Sequence, residues 1–281
     1  MPSPAGVVGG GRMGAGIAHA LLCAGVEVVL ADVDERAVAA AHGRVEKAVR
    51  RSAERGSLPD PEQQTLGRLR LSASYHAMAG CGLVIEAVPE DLELKRRVFR
   101  DLEQVVGASA VLATNTSSLP VSELAATAGE PRRVVGLHFF NPVPVSALVE
   151  VVVGAATADE VVEQAAGWVV ALGKTPVVVR DSPGFASSRL GVGLGLEAIR
   201  MVQEGVASAE DIDTAMRLGY RHPMGPLRLT DLVGLDVRLG VARHLASTLG
   251  PRFEPPELLV SKVDRGQLGR KTGQGFYRWT D

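Results

Sequence analysis

Two apolar segments joined by a short Pro-rich corner carry a histidine and a glutamate. His138 lies near the end of the segment RRVVGLHFF, and Glu150 lies inside LVEVVV. A carboxylate within an apolar strand is costly unless it is paired, and His138 is the available partner. Such a pair fixes one imidazole tautomer and leaves the other nitrogen to take or give a proton, which is general acid–base chemistry. The alternative is that His138 is a core histidine without a catalytic role.

A glycine-rich turn near the N-terminus has GxGxxG spacing, and it follows an apolar strand and precedes a helix. An acid stands about 20 residues further on, so the context of a dinucleotide-binding fingerprint is complete. The glycines permit a tight turn, the approach of a pyrophosphate and close helix packing, while the helix N–H groups attract the anion. Asp32 would accept hydrogen bonds from ribose hydroxyls and repel a 2′-phosphate, which favours NAD over NADP; a solvated strand-end acid is the alternative. The predicted NAD-binding residues of this stretch are Gly9, Gly11, Arg12, Met13, Gly14 and Asp32.

The elements that must position these residues follow from the hydrophobic pattern. Residues 1–181 alternate short apolar runs with helical patterns, which is typical of a parallel sheet covered by helices. Charges interleaved at helical spacing from Glu35 to Arg55 predict a helical excursion that projects from this sheet. From residue 182 to 281 only helical periodicity remains, so we predict an α/β Rossmann-like domain followed by an all-α domain. The predicted strands are Ala5–Val8, Val26–Ala31, Leu69–Ser72, Leu83–Ala87, Val111–Thr114, Val134–Phe139, Leu148–Val153 and Pro176–Val179.

The amino-acid composition gives no indication of binding to nucleic acid or to a membrane. The formal net charge is −2, with 46% hydrophobic and 22% charged residues, which gives no electrostatic reason to bind nucleic acid or an anionic membrane. The N-terminus lacks the basic start and long apolar core that are typical of a signal peptide, and no apolar run approaches the length of a membrane helix. Cys23 and Cys81 lie in or beside apolar segments, which indicates reduced thiols and a cytoplasmic location. No metal site is predicted.

Several strings along the chain resemble the L-3-hydroxyacyl-CoA dehydrogenases, most closely the bacterial 3-hydroxybutyryl-CoA dehydrogenases. They are ATNTSSL, GLHFFNPVPV, LVEVV, DSPGF, HPMGP and GRKTGQGFY, and together they cover essentially the whole chain. The resemblance implies an NAD domain with a protruding helical pair, followed by an all-helical domain through which a homodimer forms. It also implies NAD-dependent interconversion of an L-3-hydroxyacyl-CoA, short-chain in this group, and its 3-oxoacyl-CoA.

The resemblance implies roles for particular residues. His138 matches the family's general base, Glu150 the carboxylate that orients it, and Ser117 the serine that hydrogen-bonds the substrate oxygen. The family has Asn at a position where this chain has Ser188, so we expect catalysis that is reduced or re-tuned rather than absent. Positions that line the cofactor or its approach are matched by Glu90, Lys95, Asn141 and Lys271. The residues alone also allow roles without a ligand. Glu90 could be an acid at the start of a helix, and Ser117 could cap a helix. Lys95 and Lys271 could be solvated cations.

The charged excursion suggests a second anion site. Arg44, Lys47, Arg50 and Arg51 are partly three or four residues apart, so some can share a face toward the phosphates of CoA. A solvated basic face is the equal alternative.

Two other functions are compatible with the sequence. A sugar-acid dehydrogenase of the L-gulonate type shares much of this architecture and could use the same His–Glu pair. An NAD-binding protein of low catalytic activity would keep the fingerprint while its substrate site is damaged. The departure at Ser188 is the feature that keeps the second of these alternatives open.

Overall fold

An eight-stranded sheet forms the first of the two units into which the chain divides, Met1–Asp181 and a unit that begins at Ser182. The computed structural model describes residues 1–280. The strands are β1 (Ala5–Val8), β2 (Val28–Ala31), β3 (Leu69–Ser72), β4 (Leu83–Glu86), β5 (Val111–Thr114), β6 (Val134–Phe139), β7 (Leu148–Val153) and β8 (Thr175–Arg180). Their order is β3-β2-β1-β4-β5-β6-β7-β8. The first six are parallel, β7 is antiparallel to β6, and β8 is parallel to β7.

The central strands are buried along their whole length, as a parallel sheet covered on both faces requires. Residues of β1, β2, β4 and β5 are all buried. The α/β class predicted from the sequence is confirmed. Two strands are shorter than predicted, since β2 begins at Val28 and β4 ends at Glu86, while β8 extends to Thr175–Arg180. β8 is an edge strand with exposed residues, so its bounds follow from pairing with β7 rather than from an apolar run.

Helices cover the sheet in the first unit. They are α1 (Arg12–Cys23), α2 (Glu35–Glu54), α3 (Glu62–Leu66), α4 (Leu92–Glu103), α5 (Val121–Ala125) and α6 (Asp159–Ala171). The excursion predicted from Glu35 is α2, which Asp34 caps by accepting a hydrogen bond from the Ala37 N–H, followed by the short α3. Its buried stripe belongs to the main core, so α2 packs along the unit and only its charged face points away. The residues of this stripe that belong to the main core are Ala41, Val45 and Val49, and Val38 is buried at the start of the helix.

The second unit is helical, in agreement with the sequence pattern. Its helices are α7 (Ser187–Gln203), α8 (Ala209–Gly219), α9 (Pro226–Val233), α10 (Leu235–Leu249) and α11 (Glu257–Asp264). Their apolar faces form a separate core that includes Leu196, Ile199, Leu227, Leu239 and Leu245. In the described part of the chain, no helix combines the length and apolar character that a bilayer-spanning helix needs.

One buried carboxylate ties the C-terminal segment GRKTGQGFY into the second unit. Asp231 is 1% exposed, and it accepts hydrogen bonds from the backbone N–H groups of Phe276 and Tyr277 at 2.8 and 2.9 Å. The indole N–H of Trp279 donates to the same carboxylate at 2.9 Å. A Cβ at Gly275 would lie 2.1 Å from an Asp231 oxygen, so only glycine allows this approach. The segment GRKTGQGFY therefore has a structural role, because its backbone surrounds the Asp231 carboxylate.

Candidate active site

His138 and Glu150 face each other across the β6–β7 pair. The antiparallel register makes the two residues direct partners, so their side chains leave the same face of the sheet. His138 Nδ1 lies 2.8 Å from Glu150 Oε2, and the two side chains are 8% and 1% exposed. Because a carboxylate accepts, Nδ1–H is the donor, and Nε2 is the nitrogen that can take up a proton. The pair has the geometry of an oriented acid–base group.

The alternation of β6 explains why this histidine is not part of the main core. Val135, Leu137 and Phe139 point into that core, so His138 points to the opposite face of the sheet. The ring of Phe140 packs against the imidazole with a centroid separation of 4.4 Å. The imidazole thus lies against an aromatic ring as well as against the Glu150 carboxylate.

A second carboxylate organises the loop that follows β5. Glu90 Oε1 accepts hydrogen bonds from the Thr116 hydroxyl at 2.6 Å and from the N–H groups of Ser117 and Ser118 at 2.9 and 3.1 Å. The Ser117 hydroxyl lies 3.3 Å from the same oxygen. Glu90 therefore determines where the predicted substrate serine stands. The helix-cap alternative for Ser117 does not describe these contacts, since its hydroxyl meets a carboxylate from another strand end.

Lys95 lies behind Glu90 and is almost completely buried. Its ammonium is 2.7 Å from Glu86 Oε1 and 3.3 Å from Glu90 Oε2, and it donates to the Val88 carbonyl at 3.3 Å. These acceptors match its three donors. At 1% exposure the contacts of Lys95 are with the protein, so an effect on a cofactor would pass through Glu90; its place beside the cofactor stays a prediction.

The two carboxylates around Lys95 respond oppositely to their surroundings. Burial raises the pKa of Glu86, against the charge and hydrogen bond of Lys95. Burial acts in the same direction on Glu90, but there the Lys95 charge and the hydrogen bonds from Thr116 and Ser117 prevail and lower its pKa. Glu90 is thus held as a carboxylate that can keep the serine loop in place.

Glu86 is the functional-site candidate that the sequence analysis missed. It is 0% exposed and accepts from Lys95, from the Thr114 hydroxyl at 2.7 Å and from the Val88 N–H at 2.7 Å. The signal was present, because an acid inside the apolar strand LVIEA is the same pattern that singled out Glu150. The sequence does not indicate its partner, because Lys95 lies on helix α4 and not on a neighbouring strand.

The glycine-rich turn fits a dinucleotide. Gly9 has φ +90°, and a Cβ at Gly14 would lie 1.8 Å from the Gly9 carbonyl oxygen, so both positions require glycine. A Cβ at Gly11 would meet no atom within 4 Å, which leaves open space against the backbone for a phosphate. Helix α1 then begins at Arg12 and Met13, with no side-chain cap and no acid in its first turn. Its N–H groups are thus available to an anion.

Asp32 joins the end of β2 to this turn. One carboxylate oxygen accepts from the Gly10 N–H at 2.8 Å and the other from the Val33 N–H at 2.7 Å. Each oxygen of a carboxylate can accept a second hydrogen bond, so Asp32 can still receive ribose hydroxyls. The arrangement fits the predicted role and also explains why the acid is held rigidly.

The remaining predicted residues have different surroundings. Asn141 is exposed in the turn after β6, at the same edge of the sheet as Gly9, Glu90 and Ser117. Lys271 lies in the second unit, where it forms an ion pair with Asp236 at 2.6 Å. Ser188 is half-buried in the first turn of α7.

The four basic residues on α2 do not act as one group. Arg44 donates to the Gly10 carbonyl at 3.1 Å, so it supports the glycine-rich turn. Arg50 pairs with Glu46 at 2.9 Å and approaches Glu62 at 3.8 Å. Lys47 and Arg51 are exposed beside it. The expected basic face is therefore smaller and partly neutralised.

The Glu86–Lys95 contact leads to a prediction about stability. We expect Lys95→Met to lower the free energy of unfolding by about 3–5 kcal/mol at pH 7, because it leaves a buried carboxylate without its cation. An acid with a raised folded pKa contributes stability at low pH that is lost as pH rises through that pKa. Without Lys95 the pKa of Glu86 rises further, so the loss should shrink between pH 8 and pH 5. Urea unfolding followed by circular dichroism measures both effects.

The double variant Glu86→Gln/Lys95→Met is the matched control. It removes both charges and should recover most of the stability that the single change loses. A surface control is Arg96→Met, whose partners Glu93 and Glu123 are exposed and whose effect should stay below about 1 kcal/mol. A double variant as unstable as Lys95→Met would contradict the pairing.

Comparison with known proteins gives matches along nearly the whole chain. The family model "3-hydroxyacyl-CoA dehydrogenase, NAD binding domain" matches residues 4–182, and the model of the family's C-terminal domain matches residues 184–279. A probable 3-hydroxybutyryl-CoA dehydrogenase of Deinococcus radiodurans is 42% identical over 98% of this chain and 99% of that protein. A 3-hydroxybutyryl-CoA dehydrogenase of Mycobacterium tuberculosis is 44% identical over 98% of this chain and 97% of its own length.

The solved structures give the same result. The crystal structure of (S)-3-hydroxybutyryl-CoA dehydrogenase from Ralstonia eutropha superposes with a TM-score of 0.94 at 37% identity, and the match covers 100% of both chains. The resemblance expected from the sequence strings is thereby confirmed. The chain belongs to the 3-hydroxyacyl-CoA dehydrogenase family and is an NAD-dependent oxidoreductase.

Proposed function

We propose that the enzyme interconverts a short-chain L-3-hydroxyacyl-CoA, foremost 3-hydroxybutyryl-CoA, and its 3-oxoacyl-CoA, with His138 as the general acid–base. The observation that carries the proposal is the 2.8 Å contact between the buried His138 and Glu150 on opposed strand positions. The substrate is that of the 3-hydroxybutyryl-CoA dehydrogenases, which align over 99% and 97% of their own lengths.

Proton transfer is the part of the reaction that the chain performs. In oxidation His138 Nε2 removes the proton of the 3-hydroxyl group, and in reduction the imidazolium returns it. Glu150 holds Nδ1–H and stabilises the imidazolium that forms. NAD, when bound, supplies the hydride acceptor or donor. Glu150 thus fixes the orientation of the His138 ring from which the proton is transferred.

Ser117 is the proposed contact to the substrate oxygen. Its N–H and hydroxyl are both within hydrogen-bond distance of Glu90, which keeps it at the end of β5. A hydroxyl that donates to Glu90 still has lone pairs, and a rotation of its χ1 angle would turn the donor to the substrate. Glu90 is in turn held by Lys95, so the serine loop has a charged anchor.

The proposed NAD site combines the glycine-rich turn with the ends of neighbouring strands. Gly9, Gly11 and Gly14 with Arg12 and Met13 would receive the pyrophosphate at the start of α1, and Asp32 the ribose. Glu90 and Asn141 would line the nicotinamide half from the ends of β4 and β6. Lys271 is proposed for the approach to the cofactor on the resemblance alone.

For the CoA phosphates we propose the exposed part of the α2 surface, at Lys47 and Arg50. Arg50 is already paired with Glu46, so Lys47 and Arg51 provide the cations that are less committed. Arg50→Glu should raise the KM for acetoacetyl-CoA at least severalfold more than the KM for NADH, since the phosphates of the two ligands would lie at different sites. Equal changes in both constants would contradict this site.

We also propose a homodimer and a cytoplasmic location. Apolar side chains of the second unit are unusually exposed, with Leu190 and Leu218 both at 74%. Further exposed ones on its helices are Leu194, Leu229, Leu232, Val233 and Val237. Both cysteines are free thiols, as a reducing compartment allows. Sedimentation at the mass of one chain would contradict the dimer.

A direct test of the proposed function is the loss of the acid–base group. His138→Ala should lower kcat for NADH-dependent reduction of acetoacetyl-CoA by about 10²–10⁴-fold, because proton transfer loses its donor. The dissociation constant for NADH, measured by fluorescence titration, should stay within about twofold. His76→Ala removes an exposed histidine and is the control. An almost unchanged kcat would overturn the assignment, and turnover of L-gulonate in place of acetoacetyl-CoA would favour a sugar-acid dehydrogenase.

Ser188 offers a gain-of-function test. The family's Asn at this position provides an amide donor, whereas Ser188 offers one hydroxyl. Ser188→Asn should raise kcat/KM on acetoacetyl-CoA by up to about 10²-fold, since one lost oxyanion-type donor costs about 10²–10³ in rate. Steady-state kinetics on the wild type and the variant decide the matter. A fall in kcat/KM would mean that the site is built around the serine.

A further inference from the structure

One buried lysine of the first unit lies between two carboxylates. Lys95 Nζ is 2.7 Å from Glu86 Oε1 and 3.3 Å from Glu90 Oε2. Within residues 1–280, neither acid forms an ion pair with any other cation. We call these three side chains the acid–lysine triad. With both acids ionised, the triad has a net charge of −1, although Glu86 and Lys95 are only 0% and 1% exposed.

The hydrogen bonds of Glu86 favour its ionised form. Oε1 accepts from the lysine ammonium and from the Val88 N–H, both at 2.7 Å, and Oε2 accepts from the Thr114 hydroxyl at 2.7 Å. The Thr114 oxygen already accepts from the Thr116 N–H at 3.2 Å, so its own proton is left for Glu86. These partners act as donors, whereas a protonated carboxyl would need an acceptor. They oppose burial, which raises the pKa of Glu86, and Glu90 is ionised as well because its pKa is lowered.

The charge of Glu86 exceeds what Lys95 needs. Glu90 by itself balances the ammonium, and a neutral amide at position 86 could accept the same hydrogen bond from Lys95. The buried Arg133 has a simpler arrangement, since it is 7% exposed and pairs with one acid, Glu103, at 2.9 Å. A second carboxylate removed from water is costly unless a positive charge compensates it. The surplus therefore indicates that a ligand supplies the missing positive charge.

The cofactor is a ligand that can supply this charge. The nicotinamide ring is positively charged in the oxidised form, NAD⁺, and neutral in NADH, so the two forms differ by one unit charge at this ring. Glu90 follows β4 at the carboxyl end of the strand, where ligands of such sheets bind. In the proposed function it lines the nicotinamide half of the cofactor. The surplus charge of the triad is thus directed to the part of the cofactor whose charge changes.

We propose that the acid–lysine triad strengthens the binding of NAD⁺ relative to that of NADH, and that Glu86 is the residue that creates this preference. Glu86 would act through space and through the triad, without contact to the cofactor. By linkage, the same preference shifts the equilibrium between the bound cofactors toward NAD⁺ and so favours reduction of the 3-oxoacyl-CoA on the enzyme. This inference rests on the proposed function, which places Glu90 at the nicotinamide.

Glu86→Gln tests the inference, because the amide has the size of the carboxylate and the triad becomes neutral. Dissociation constants for NAD⁺ and NADH are measured by isothermal titration calorimetry on the wild type and the variant. The ratio of the constant for NAD⁺ to that for NADH should rise by about 3- to 20-fold, mainly through weaker binding of NAD⁺. A merely structural role would raise both constants by the same factor, and that result would overturn the proposal.

Two control variants separate the buried charge from other effects. Thr114→Val removes a hydrogen bond of the same network and keeps every charge, so any loss of affinity should fall equally on both cofactor forms. Glu93→Gln removes an acid from the same helix as Lys95, but this side chain is 63% exposed and its charge is screened by solvent. The ratio of the two constants should stay within about twofold in both controls. A shift in either control as large as that in Glu86→Gln would contradict the role of the buried charge.

The double variant Glu86→Gln/Lys95→Met restores a net charge of −1, which Glu90 then carries alone. Its ratio should return to within about threefold of the wild-type value, although the hydrogen bonds of the triad are lost. If Glu86→Gln does not fold, Glu90→Gln replaces it, since it also makes the triad neutral, at a side chain that is 36% exposed. It should shift the ratio in the same direction, and an unchanged ratio would overturn the proposal.

Failure of this inference can be told from failure of the proposed function, because the titrations contain no acyl-CoA. An enzyme that reduces acetoacetyl-CoA and keeps its wild-type ratio in Glu86→Gln would overturn the role of the triad and leave the proposed function intact. A protein that reduces no acyl-CoA but shows the shifted ratio would support the triad while the proposed substrate fails.

Discussion

Burial of carboxylates is the constraint on which the rest of this structure depends. Each buried acid must meet donors, and here the donors are residues proposed for the reaction or segments of the fold. Glu150 holds His138, Glu86 holds Lys95, and Asp231 holds the C-terminal segment. Each of these contacts thus offsets the cost of removing a carboxylate from water. A side chain that satisfies a buried charge has little freedom to move, and this fixes the geometry of the proposed site.

In the first unit, the sheet brings the polar residues of several strands together at one edge. The parallel strands β1, β4, β5 and β6 are neighbours, and their carboxyl ends carry the glycine-rich turn, Glu90, the serine loop and His138. Ligands of open α/β sheets gather at such ends. The antiparallel β7 places Glu150 directly opposite His138 through its register with β6. A parallel β7 would start from the other end of the sheet and lose this pairing.

The sequence by itself determined the α/β class, the all-helical second unit and the cofactor, because strand and helix periods and glycine spacing are local properties of the chain. It also singled out His138 and Glu150, since an acid in an apolar strand is visible in one segment. Only the tertiary structure decided which residues meet. Lys95 pairs with Glu86, Arg44 donates to the Gly10 carbonyl, and Asp231 accepts from the Phe276 N–H. Such contacts join segments that are far apart in sequence, and their geometry depends on how helices pack.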